Sequence, residues 1–84
     1  MAIKATVARQ FQYLAVGKEP QLVSRVEAVM TFPQAFELDE DIMTQVEKFY
    51  LDSSEVTDYD HDGMQTVIEY ALGAFIVITY EEEV

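Results

Sequence analysis

The chain is predicted to be an α+β domain, in which a small antiparallel sheet, formed by an N-terminal hairpin plus C-terminal strands, packs against one amphipathic helix. Three observations predict it. Apolar residues alternate at period two through residues 3–16 and 22–32, recur at helical spacing through 40–52, and return to period two through 66–80.

In the first element Ile3, Ala5, Val7, Phe11, Tyr13 and Ala15 share a face with Arg9, against Lys4, Thr6, Gln10 and Gln12. A helical phase through Ile3, Val7, Phe11 and Leu14 is the alternative there. "GKEPQ" at 17–21 signals a turn. Beyond it Leu22, Val26, Ala28, Met30 and Phe32 line one face, with Val23, Arg25, Glu27 and Thr31 opposite, and Pro33 closes the strand. Ile42, Met43, Val46, Phe49 and Tyr50 then form one apolar stripe of a helix over 40–52. Asp39 suits its N-cap, and Glu40 and Asp41 suit the positive end of its dipole. In the last third, the β-branched and aromatic content of "AFIVITY" favours a strand over 74–80, with a bend at Gly73, while 64–72 fits helix or strand. Residues 79–84 are expected to fray at the end of a single small acidic domain spanning 1–84.

Half of the 84 residues are hydrophobic, enough for a core without staples, and no cysteine is present for disulfides or thiolate metal sites. The N-terminal "MAIKATVARQ" lacks the apolar run of a secretory signal. "AFIVI" falls far short of the roughly 20 residues that cross a bilayer. A soluble, cytoplasmic protein is the expectation. The formal net charge is −11, and it is uneven: residues 35–84 hold fourteen acids against Lys48 alone. Direct nucleic-acid binding and attachment to an anionic membrane are thereby disfavoured, since both need clustered Lys and Arg.

Catalytic signals are absent from the pattern. His61 is the single histidine, no serine has a visible histidine–carboxylate partnership, and three glycines make no phosphate loop. No enzyme is expected.

The most specific stretch is "DYDHDGMQTVIE", residues 58–69. It fits D-x-D-x-D-G-x5-E: Asp58, Asp60 and Asp62 at positions one, three and five, Gly63 at the sharp turn, the Met64 carbonyl at seven, Thr66 holding a water at nine, and Glu69 at twelve. Over residues 58–73 the chain resembles EF-hand loops and the calcium loops of bacterial thrombospondin-type-3-like repeats, which run on into "EYALG". That resemblance implies Ca²⁺ held by Asp58, Asp60, Asp62 and Glu69. The motif stands alone, with Gln65 at position eight.

Two other accounts of these acids stay open. Asp62-Gly63 is a favoured pair for a two-residue type I′ hairpin turn between "VTDYDH" and "MQTVIE". Alternatively, Glu37, Asp39, Glu40, Asp41, Glu47, Asp52, Glu55, Asp58, Asp60 and Asp62 form one negative face for a basic protein partner. In composition the chain is similar to small phage-encoded inhibitors that occupy nucleic-acid-binding grooves as DNA mimics. The functional expectation is therefore a non-catalytic acidic binding protein, an inhibitor or adaptor, with no cofactor. The alternatives are a Ca²⁺-stabilised module and a structural subunit of a larger assembly that joins through its β-rich C-terminus.

Overall fold

In the computed structural model, which describes residues 2–13 and 16–83, the fold is α+β: one five-stranded antiparallel sheet and one helix. In chain order the elements are β1 (Ala2–Tyr13), β2 (Gln21–Phe32), α1 (Glu40–Leu51), β3 (Val56–Asp62), β4 (Gln65–Tyr70) and β5 (Ala74–Glu83). The spatial order is β2-β1-β5-β4-β3, so α1 carries the chain from one edge of the sheet to the other.

Period-two alternation gives the sheet two unlike faces. Ile3, Ala5 and Val7 of β1, Ile68 of β4, and Ile76, Ile78 and Tyr80 of β5 are buried. They form the core with Ile42, Val46 and Tyr50, which the 3.6-residue repeat places on one side of α1. The helix starts where the sequence indicates: the Asp39 carboxylate accepts the Ile42 N–H at 2.9 Å, with Glu40 and Asp41 in the first turn. No helix is long and apolar enough to cross a membrane among the described residues.

Several details depart from expectation. Ala8 pairs with Val26 whereas Val7 pairs with Ala28, leaving Glu27 as the extra residue of a β-bulge. The bulge reverses the facing of the distal half of β2, so Val23 and Arg25 lie on the helix side and Leu22 and Val26 on the other. Gly73 does not bend one long strand. Residues 71–73 form a tight turn with Leu72 at φ 68°, and β4 and β5 are antiparallel partners. Residues 79–83 do not fray but pair with the start of β1, Ala2 opposite Glu83. Ala15 and Leu14, placed in the first element, lie outside the described residues. Because β5 sits between β1 and β4, the C-terminal strand offers no free edge; the free edges are β2 and β3.

The aromatic residues divide. Tyr50 and Tyr80 are buried and Phe32 and Phe75 half-buried, but Phe11, Tyr13 and Phe49 are exposed, Phe49 by 81%. Core packing therefore accounts for only part of the set.

Candidate functional site

Residues 58–69 form a hairpin. Asp62 faces Gln65 across the loop Gly63–Met64, Asp60 faces Val67, and Asp58 faces Glu69. Positive φ occurs at Gly63 (61°) and not at Met64, the type II′ pattern with glycine first, rather than a turn centred on Asp62-Gly63. The register is set by sheet burial: it turns Thr66 and Ile68 inward, and both are fully buried.

The motif residues are thereby laid out in a line. Asp58, Asp60 and Asp62 project from the face away from α1, spaced ~7 Å apart as alternate residues of a strand must be. Glu69 stands beside Asp58, at the far end of the row from Asp62. Thr66 faces the opposite side, and the Met64 carbonyl accepts the Tyr80 N–H at 2.8 Å. Among the described residues no three His, Cys, Asp or Glu side chains converge closely enough to hold a metal. A calcium shell needs six to eight oxygens within about 2.6 Å of one point, which this hairpin does not assemble.

Glu47 belongs to a different structure from the other acids. It is 4% exposed and cannot present its charge to a partner. The Thr66 hydroxyl donates to its Oε1 at 2.6 Å and the Tyr80 hydroxyl to the same oxygen at 2.8 Å. The Tyr59 hydroxyl donates to Oε2 at 3.0 Å. One carboxylate on α1 thus ties together β3, β4 and β5, and three charge-assisted hydrogen bonds replace the water it lost. His61 Nδ1 lies 2.7 Å from the Thr66 hydroxyl oxygen. Since that hydroxyl donates to Glu47, its oxygen is the acceptor in this contact and the Nδ1–H of His61 is the donor. Burial, and then the Glu47 hydrogen bond, raise the pKa of Tyr80 far above the tyrosine range, and the same causes raise Tyr59.

The remaining acids of the predicted negative face are exposed, and Glu69 is half-buried. Ile3 is paired with both Phe32 and Glu82, and Gln65 with Thr79. The end of β2, the segment leading to α1, the β3–β4 turn and the end of β5 consequently share one end of the sheet. That end collects Glu37, Asp39, Glu40, Asp41 and Asp62, and also Glu81, Glu82 and Glu83, which the sequence reasoning left in a tail. Asp52 and Glu55 lie at the other end of β3, so the row Asp58–Asp60–Asp62 connects them to the acidic end. The opposite corner, the projecting β1–β2 arm, carries Arg9, Lys18 and Arg25. There Arg9 and Glu27 make the single ion pair among the described residues, at 2.7 Å. The hydrogen bond between them raises the Arg9 pKa and lowers that of Glu27. The chain matches no protein-family model, no curated protein and no solved structure.

Proposed function

We propose that this protein is a non-catalytic acidic binding protein that docks a basic protein surface, as an inhibitor or adaptor, through the β3 edge and the adjoining acids Glu37, Asp39, Glu40 and Asp41. The observation that carries this is the row of Asp58, Asp60 and Asp62, exposed on an edge strand with no cation in ion-pair range among the described residues. Together with Asp39, Glu40, Asp41 and Glu37 it makes a negative surface that runs around one side of the molecule, while three of the five cations, Arg9, Lys18 and Arg25, sit at the opposite corner; Lys4 pairs with Glu81 and Lys48 lies on α1. Such an uncompensated field steers a positive partner and fixes its orientation. The same charges keep β3 from pairing edge to edge with other chains, so that edge is suited to side-chain contacts rather than to strand addition. Among the described residues Glu47 is the one deeply buried carboxylate, and both its oxygens are engaged by hydroxyls, which supports a structural rather than an acid–base task for it.

The test is binding to an immobilised basic DNA-binding domain at increasing salt, with duplex DNA as competitor. Affinity is expected to fall steeply as the Debye length shrinks from ~30 Å at 0.01 M to ~8 Å at 0.15 M, and DNA is expected to displace the protein. Binding that ignores salt would contradict the proposal.

A further inference from the structure

The two free edges of the sheet are unlike. On β3 the Asp58 carboxylate accepts the Tyr59 N–H at 2.9 Å, and Asp58, Asp60 and Asp62 line the strand, which closes that edge to a further strand. β2 is open. It runs for 12 residues with two charges, Arg25 and Glu27, and Leu22, Val26 and Val29 are 62%, 60% and 54% exposed. Among the described residues no segment other than β1 hydrogen-bonds the backbone of Gln21–Thr31. An apolar edge that leaves a row of N–H and C=O groups unmatched is a template for strand addition.

We infer that β2 is a homodimer seam: two copies join their β2 edges antiparallel, about a two-fold axis that passes through the sheet at Val26, and make one continuous sheet with both helices on the same face. The strand's own residues choose a second copy as the occupant. With the bulge residue Glu27 counted out, as the pairing with β1 counts it out, five residues of β2 stand on either side of Val26. Val26 then meets Val26 of the second copy, Arg25 meets Ala28, Ser24 meets Val29, Val23 meets Met30, Leu22 meets Thr31 and Gln21 meets Phe32. In every pair both residues face the same side of the sheet, which an axis between two residues would not allow. The charges match too. Arg25 has no ion-pair partner among the described residues, and the seam brings it beside Glu27 of the second copy, twice over. An axis moved to Arg25 would press two guanidiniums together; an axis moved to Ala28 would set Arg25 opposite Met30 and shorten the ladder. The rest of the charge stays apart. The acidic ends, at the Phe32 end of each β2, fall at opposite ends of the seam, ~34 Å apart at ~3.4 Å per residue. The two aspartate rows lie on the outermost strands, ~43 Å apart at ~4.8 Å per strand, and remain free for a partner. Both separations far exceed the Debye length of ~8 Å at 0.15 M salt.

Sedimentation equilibrium on the full chain at about 0.15 M salt tests this and is expected to show a monomer–dimer equilibrium. Arg25→Glu, at an exposed position, is expected to weaken the dimer at least tenfold with the circular dichroism unchanged. Mixing that variant with Glu27→Arg is expected to restore a dimer of one copy of each, since every carboxylate at the seam then meets a guanidinium. A second readout does not depend on charge. The chain lacks cysteine, so Val26→Cys gives one thiol per copy, on the axis. Opposed Cα atoms of an antiparallel pair lie ~4.5–5.5 Å apart, within the ~4.4–6.8 Å that a disulfide spans. Air oxidation is expected to join two Val26→Cys copies and to leave Val67→Cys, on β4, as single chains. A monomer at every concentration up to ~1 mM would overturn the inference. So would a dimer that is indifferent to Arg25→Glu, or Val67→Cys joining as readily as Val26→Cys.

Discussion

The Tyr80 hydroxyl donates to the Glu47 carboxylate at 2.8 Å, across 33 residues of sequence, and fixes α1 over β5. Thr66 and Tyr59 complete the same carboxylate from β4 and β3. Because Thr66 and Tyr80 are almost wholly buried, removing their acceptor strands two donors away from water. Glu47→Ala is expected to cost ~2–6 kcal/mol, at ~1–3 kcal/mol per unsatisfied buried group. Glu47→Gln keeps an acceptor of the same shape and is expected to cost about 1–2 kcal/mol. Urea unfolding measures both; equal losses would show that the bulk of the side chain, not its oxygens, is what matters.

The same cluster gives the protein an alkaline limit. Burial, and then the Glu47 hydrogen bond, raise Tyr80 and Tyr59 above their unfolded value of ~10. A raised folded pKa means that the native state holds its protons longer than the unfolded chain. The stabilisation is therefore complete below pH ~10 and is lost as pH climbs from there toward the folded values. The melting temperature is expected to fall above pH ~10, and to fall less steeply in Tyr80→Phe. A flat profile in the native sequence would contradict the hydrogen-bonding scheme.

Leu72 is fully exposed at the β4–β5 turn with φ at 68°. A left-handed conformation costs an L-residue about 1–2 kcal/mol, and Leu72 recovers nothing by packing. Leu72→Gly is expected to stabilise the fold by up to ~1 kcal/mol after the entropy of the glycine is counted. Thermal unfolding of the variant decides it, and a lower midpoint would mean that the leucine makes contacts this turn does not show.

Calcium provides a direct check on the 58–69 hairpin. A loop that closes on Ca²⁺ would have to unzip β3 from β4 and expose Thr66 and Ile68, both fully buried. The melting temperature is expected to stay constant up to millimolar Ca²⁺, in the native sequence and in Asp60→Asn alike. A rising midpoint, as mass action requires of a ligand bound only by the native state, would establish the loop instead.

The sequence carried the α+β class, the helix and its Asp39 cap, because periodicity and capping act over a few residues. What it withheld depended on pairing. The bulge at Glu27 reverses half of β2 without changing its alternation, so no pattern within the strand discloses it. Periodicity places Phe49 in the apolar stripe of α1 and leaves Glu47 out of it, although the two stand at similar angles on either side of Ile42, Val46 and Tyr50. Tertiary contact separates them: Glu47 tilts over the hydroxyls of Tyr59, Thr66 and Tyr80, while Phe49 is left to solvent. The acidic motif fits a loop and a hairpin equally well, and burial of Thr66 and Ile68 on one face is what favours the ladder. Glu81, Glu82 and Glu83 join the acidic end only once β5 pairs with β1.

The most direct measurement compares two variants of identical net charge, Asp58→Asn/Asp60→Asn/Asp62→Asn and Glu81→Gln/Glu82→Gln/Glu83→Gln, for binding to a basic DNA-binding domain at about 0.15 M salt. At that ionic strength a Debye length of ~8 Å makes position, not total charge, decide the outcome. The account predicts a loss of tenfold or more for the β3 variant and a markedly smaller loss for the β5 variant. Equal losses would reduce the acidic surface to a general solvating charge and contradict the proposed function.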